Sequence, residues 1–206
     1  MARDYDSSRR QEAARRTREA ILAAAFKLHG QGIVDLDSLA READVSVATV
    51  RKHFPNRELL FEGCTTYGLH LAPMPDFVGL ATLADPRERL AETVRQGYAL
   101  HESLFGQVWG AFKLEDESPV LAGTLREVEG AVHALAETAV AAFPDCGDEA
   151  AELRGLVAGM LSPLTYRGLR VHGGLSPAQA TRSTTALLLQ AFEAGGPWRE
   201  AEADYR

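Results

Sequence analysis

The chain has 206 residues, of which 46% are hydrophobic and 25% charged, and its formal net charge is −7. This balance fits a folded domain with a sizeable core and excludes a linker or a wholly disordered chain. No apolar run reaches the roughly 18 residues of a membrane span, and the opening "MARDYDSSRRQEAARRTREA" lacks the apolar segment of a signal peptide, so the protein is expected to be cytoplasmic and to have no membrane partner.

Helical periodicity runs through almost the whole sequence. Ile21, Ala24, Ala25 and Leu28 follow an i, i+3, i+4, i+7 pattern, which predicts a first helix from about Gln11 to Leu28, closed at "HGQG" by Gly30 or Gly32 in a left-handed cap. In "DLDSLAREA", Asp37 or Ser38 is the expected N-cap of a second, very short helix carrying Leu39, Ala40 and Ala43. Ser46 is expected to cap a third helix, which Phe54-Pro55 ends. Asn56 then opens a fourth, with Leu60, Gly63, Cys64 and Tyr67 on one face. The stretch "LAPMPDFVGLATLADP", with its three prolines, reads as a loop or boundary. Long helices are expected to start at Pro86, at Ser118-Pro119, near Asp148 and at Ser176-Pro177, with Pro at the first turn or acidic residues there. The final "GGPWREAEADYR" reads as a loose polar tail. No strand-like alternation and no internal repeat are present. The fold expected is therefore all-α, with residues 1–60 as an N-terminal arm and three-helix head, 61–196 as a helical bundle and 197–206 as the tail.

Charge is divided unevenly between these parts. Residues 1–60 carry 11 Lys+Arg against 9 Asp+Glu, a net +2, whereas residues 61–206 carry −9. A basic front on an acidic body suits a front that meets a polyanion.

The second and third helices, joined near Asp44-Val45-Ser46, have the form of a helix-turn-helix. Leu39, Ala40, Ala43, Val45, Val50 and Phe54 would form its packed side, the small alanines allowing close approach, and Val47, Ala48, Thr49, Arg51 and Lys52 would remain at the outer side or its margins. A rod of this length fits a DNA major groove, and it needs support behind it more than it needs length.

Over about residues 13–62, and most clearly in "SLAREADVSVATVRKHFPNRELL", the sequence resembles the signature of TetR-family transcriptional regulators. The matching positions are Leu39-Ala40, Ala43, Val45-Ser46, Thr49, His53-Phe54, Arg57-Glu58 and Leu60. Two positions depart from the pattern. Asp44 stands where the family usually has Gly in the turn, and Arg51 stands where it usually has a phosphate-contacting Tyr. The resemblance implies that Thr49, Arg51, His53 and Arg57 anchor the DNA backbone and that Val47, Ala48 and Lys52 reach base edges. It also implies an arm, formed by Arg9, Arg10, Arg15, Arg16 and Arg18, against phosphates or the minor groove.

For the rest of the chain the resemblance implies a homodimer through the last two long helices, placing two recognition helices about 34 Å apart on double-stranded operator DNA. Those helices have wide apolar faces: Leu153, Leu156, Val157, Met160, Leu161 and Leu164 in one, and Thr181, Thr185, Leu187, Leu188, Leu189 and Phe192 in the other. A cavity for a small-molecule effector, hydrophobic or aromatic, is implied as well. Tyr98, His101, Phe105, Trp109, Phe112, Met160 and Tyr166 are the candidates to line it, although an aromatic at helical spacing is more often plain core. The activity implied is that of a repressor released from its operator when the effector shifts the fourth helix.

No catalytic residue, cofactor site or metal site is expected. His29, His53, His70, His101, His133 and His172 are scattered, no His-Glu-x-x-His or Gly-x-Ser-x-Gly motif occurs, and the two cysteines, Cys64 and Cys146, indicate neither a disulfide framework nor a metal site. The alternative to a regulator is a helical ligand-binding or protein-interaction module that no longer binds DNA.

Overall fold

The computed structural model describes residues 2–143 and 150–193. Its helices are α1 (Ala2–His29), α2 (Leu36–Glu42), α3 (Val47–His53), α4 (Arg57–Leu71), α5 (Phe77–Thr82), α6 (Pro86–Ser103), α7 (Phe105–Leu114), α8 (Pro119–Val140), α9 (Ala150–Met160), α10 (Pro163–Arg167) and α11 (Pro177–Glu193). A 3-10 turn, Glu115–Glu117, precedes α8, and a π-helical turn, Gly168–His172, follows α10. There is no strand among the described residues, and the protein is all-α.

The chain forms two compact units, Met1–Ala72 with Gly106–Leu125 and Pro73–Phe105 with Arg126–Arg206. This differs from a division at residue 60: the first unit keeps the whole of α4 and takes in a later segment of α7, the 3-10 turn and the start of α8. Phe61 explains why. It is 4% exposed, and its apolar neighbours are Ala111, Leu121 and Leu125, all from that later segment. A head ending at residue 60 would leave this phenyl ring without the cover it has here.

The core shared by α1 to α4 in the first unit consists of the residues expected from the sequence. Ile21, Ala24, Ala25 and Leu28 of α1 pack with Leu39, Ala40 and Ala43, with Val50 and Phe54, and with Leu60 and Cys64 of α4. Burial pushes the Cys64 thiol up to about 12, so it behaves as a small apolar group.

Two helix ends in this unit close in the same way. At the end of α1, Ile33 N–H donates to Leu28 O and Gly32 N–H to His29 O, each at 2.9 Å, with Gly32 at φ +80°. At the end of α2, Val45 N–H donates to Ala40 O at 2.9 Å and Asp44 N–H to Arg41 O at 3.3 Å, with Asp44 at φ +54°. Both are six-to-one closures around one left-handed residue. Gly32 rather than Gly30 therefore supplies the first cap. Asp44 takes the position that favours glycine.

Several boundaries differ from the sequence reading. The first helix begins at Ala2, not near Gln11. The sequence before Gln11 carries no apolar stripe, so periodicity does not reveal that part of the helix. Further along, Glu12 pairs with Arg16 and Arg15 with Glu19 at i, i+4 spacing, and such pairs support a helix. The N-cap of α2 is Asp35, whose carboxylate accepts from Ser38 N–H at 2.8 Å, not Asp37 or Ser38. Ser46 and Asn56 cap α3 and α4 as expected. The expected loop around residue 77 contains α5, begun by Asp76 as its cap. The segment after Ala150 breaks at Ser162-Pro163, so Leu164 lies on α10 rather than on a continuous helix. Asp148, Cys146 and the tail lie outside the described residues.

The second unit is built around Leu80, Leu90, Val94, Tyr98, Leu135, Ala139, Val157, Leu161, Tyr166 and Leu188. Helix α6 carries much of it, with α5, α8, α9, α10 and α11 and the α9–α10 junction supplying the rest.

Asp44→Gly removes the Cβ from a left-handed residue and is expected to raise stability by about 0.5–1 kcal/mol, read as an upward shift of the thermal midpoint. Gly106→Ala would place a Cβ 2.1 Å from the carbonyl oxygen of Gly30, whereas at Gly110 the nearest atom, His29 O, is 3.4 Å away. Gly106→Ala should therefore cost about 1–3 kcal/mol by overpacking and Gly110→Ala much less; equal midpoints for the two variants would refute this account of the α1–α7 approach.

Candidate nucleic-acid interface

Ser46 starts α3. Its hydroxyl accepts from Thr49 N–H at 3.1 Å and lies 2.9 Å from the Thr49 hydroxyl, so the first turn is fixed by side chains as well as backbone. Val50, which has no exposed surface, and Phe54 point into the core. Ala48, Arg51 and Lys52 are exposed, and Val47, Thr49 and His53 are half-buried at the margins. Positions 48, 51 and 52 share one helical face, opposite the residues that hold the helix down. Arg51 and Lys52 have no hydrogen-bond or ion-pair partner among the described residues.

The far end of α3 is held by a residue that the sequence reading grouped with the arm. Arg18 donates from Nη1 to His53 O at 3.2 Å, and its guanidinium lies 4.2 Å from the Phe54 ring centre. It satisfies a carbonyl at the end of α3 and covers the ring that ends the helix. A sequence signal for this role exists: Arg18 lies three residues before Ile21 and seven before Ala25, on the buried stripe of α1.

The other candidate cations are engaged. Arg15 pairs with Glu12 at 2.9 Å and Glu19 at 2.7 Å, and Arg16 pairs with Glu12 at 3.0 Å. Hydrogen bonds from Arg15 and Arg16 bring the Glu12 carboxyl down to about 2. Arg57 donates from Nη2 to Glu117 O at 2.7 Å and lies 3.4 Å from that residue's carboxylate. Next to it, the Glu58 carboxylate accepts from the Ser118 hydroxyl at 2.6 Å, which holds it below the ordinary carboxylate range. These long-range partners of Arg57 and Glu58 carry no local sequence signal.

The seven residues named for an effector site do not form one group. Trp109 and Phe112 belong to the first unit, where Phe112 packs on the cluster around Phe61. Tyr98, His101, Phe105, Met160 and Tyr166 belong to the second. Tyr98 and Tyr166 are packed with ring centres 4.5 Å apart, and Phe105 stands edge-on to Tyr166 at 6.1 Å. The break between α9 and α10 explains much of the polar pattern. It frees the carbonyls of Met160 and Leu161, which accept from the Tyr98 hydroxyl at 2.8 Å and from His101 Nε2 at 2.7 Å. Tyr166 donates to Glu102 at 2.6 Å, and Arg170 meets the same carboxylate at 3.0 Å and 2.9 Å. Elsewhere in this unit, a cleft of about 810 Å³ lies among α5, α6 and α11, with Leu80, Leu83, Ala91 and Leu189 in its lining and Arg182 and Glu88 among its charged groups.

Among the described residues no group of three or more His, Cys, Asp or Glu is placed to hold a metal ion, and no helix is long and apolar enough to cross a membrane.

The chain is thus an all-α protein with a helix-turn-helix in one compact unit and a second helical unit beside it in sequence. It is similar in fold to the crystal structure of a transcriptional regulator from Rhodococcus sp. Rha1, with a TM-score of 0.64 at 14% identity over 86% of this chain and 96% of that one. No protein-family model matches the sequence, and a search of curated proteins finds no match.

The buried imidazole in the second unit has a consequence for stability. Burial pushes the His101 pKa below its ordinary value of about 6.5. As pH falls through that value the unfolded chain binds a proton before the folded one, so stability present above it is lost below it. The thermal midpoint should fall between pH 7 and pH 5, and fall less in His101→Gln, which keeps a donor for Leu161 O. His29, also pushed down by burial, should leave a residual slope. Identical pH dependence in variant and parent would count against this assignment.

Proposed function

We propose that the chain is a DNA-binding transcriptional regulator of the TetR type, acting in the cytoplasm as a homodimer and releasing its operator when a small effector binds. The observation that carries this reading is α3: a seven-residue helix, capped at its start by Ser46, held at its end by Arg18, and presenting Ala48, Arg51 and Lys52 outward. A helix built only for packing has no need of two exposed, partnerless cations on the face opposite its core. Val47 and Ala48 are apolar groups suited to a thymine methyl, Lys52 is suited to a base edge, and Thr49, Arg51, His53 and Arg57 are assigned to phosphates. Arg15 and Arg16, on the long α1, would meet DNA only by exchanging their glutamate partners for phosphate.

The pairing face is assigned to α9 and α11. Leu187 is 57% exposed on α11, and Gly155 and Gly159 are exposed on α9 with open space around any added Cβ. Small residues and an outward leucine suit close approach of helices from a second copy. For the effector, a hydrophobic or aromatic molecule is the class proposed. The cleft lined by Leu83 and Leu189 supports it, having the volume typical of small-molecule sites. Repression, rather than activation, is the mode proposed. No catalytic step forms part of this reading.

Fluorescence anisotropy with duplex from upstream of the chain's own gene tests it. Binding is expected to be sequence-selective and to weaken steeply with salt. Arg51→Ala should weaken binding on all sequences and lower the salt slope by about one per head, whereas Lys52→Ala should change the preference between sequences. Absence of salt-sensitive binding would favour a helical interaction module instead.

A further inference from the structure

A cluster of charged groups lies beside the start of α4. Arg57, the first residue of that helix, is the cation assigned above to a DNA phosphate, yet its guanidinium is already occupied. Nη2 donates to Glu117 O at 2.7 Å, and Nη1 faces the Glu117 carboxylate at 3.4 Å. Nε lies 3.5 Å from Glu58, and the guanidinium carbon is 5.6 Å from the Phe61 ring centre. The partner belongs to a 3-10 turn of three consecutive carboxylates, Glu115, Asp116 and Glu117, all exposed.

This turn is held in place by the residues that follow Glu117. Ser118, 1% exposed, donates its hydroxyl to Glu58 at 2.6 Å while accepting from Leu121 N–H at 3.3 Å, and Val120 N–H also points to Glu58 at 3.4 Å. Glu58 thus supplies a carboxylate to the first turn of α8, where exposed N–H groups favour negative charge. Through Ser118 it keeps the neighbouring Glu117 within reach of Arg57. The contact between Arg57 and Glu117 is itself half-open to solvent, with side-chain exposures of 49% and 62%. An ion pair in that setting is weak enough to exchange for another anion.

We propose that the acidic turn Glu115–Glu117 is a built-in competitor for DNA phosphate at Arg57, so that the first unit engages a duplex by trading Glu117 for a phosphate oxygen. The turn lowers the affinity of every head for every duplex by the same factor, since the contact it displaces is with backbone and not with bases. It tempers non-specific binding without altering the sequence preference set by α3. The proposal rests on the DNA-binding reading above and adds to it a fixed internal antagonist.

A double-mutant cycle on the full-length chain tests this. Binding of an upstream duplex and of a scrambled duplex is measured at about 0.15 M salt for the parent, Glu117→Gln, Arg57→Gln and the double variant, with Glu115→Gln as a control for general charge. Glu117→Gln should tighten both duplexes by about two- to fivefold, and the gain should vanish when Arg57 is already Gln. The control should give a smaller gain, equal in both backgrounds. A Glu117→Gln gain of the same size in the Arg57→Gln background, or no gain at all, would overturn the proposal while leaving the regulator reading intact. Failure of the parent to bind either duplex would overturn both.

Discussion

The first unit depends on a single backbone conformation. Asp44, at φ +54°, turns the chain between α2 and α3 within the three residues Ala43, Asp44 and Val45. The left-handed residue lets Val45 N–H reach back to Ala40 O, which ends one helix. It also delivers Ser46 in extended geometry to start the next. Everything the unit offers outward follows from that angle. Were the turn longer, Val50 and Phe54 would lose their place beside Leu39 and Ala43, and Arg51 and Lys52 would no longer share an outward face. Aspartate tolerates the conformation better than most residues with a Cβ, because its short polar side chain can hydrogen-bond locally.

A second regularity concerns helix ends. Each break in the helical chain leaves carbonyls or amides without intrahelical partners, and a side chain from another helix repeatedly supplies the bond. Gln107 donates to Phe26 O near the end of α1 at 3.1 Å. Arg18 does so at the end of α3, Tyr98 and His101 at the end of α9, and Glu58 accepts from Val120 N–H at the start of α8. These bonds link segments 35 to 81 residues apart. Apolar burial holds the helices together, and these polar bonds fix their register, since a slip of one turn would move each donor about 5 Å from its acceptor.

This division explains what was legible in the sequence. Local features were readable: Ser46 and Asn56 as caps, Pro55 as a stop, the buried stripe of α1, and the turn that Asp44 makes. Each is decided by a residue and its nearest neighbours along the chain. The opening turns of α1 were not legible by periodicity, because the sequence before Gln11 carries no apolar stripe. The aromatic residues were ambiguous for another reason. Tyr98, Tyr166 and Phe112 are spaced as either core or pocket lining, and only the fold separates them into two units. Arg57 shows the limit most directly: its place at the start of α4 can be read from the motif, but Glu117 stands 60 residues away.

The first unit is assembled from two stretches of chain, with residues 73–105 leaving and returning between them. Phe61 finds its apolar cover, and Glu58 its hydroxyl and amide donors, on the second stretch. A gene fusion that exchanged the N-terminal stretch of the first unit for another by a single crossover would separate Phe61 from Leu121 and Glu58 from Ser118. Recombination between such proteins must therefore carry both stretches together, or replace the surface of α4 along with its new neighbour. The head is thus less portable, as a building block, than a contiguous helix-turn-helix would be.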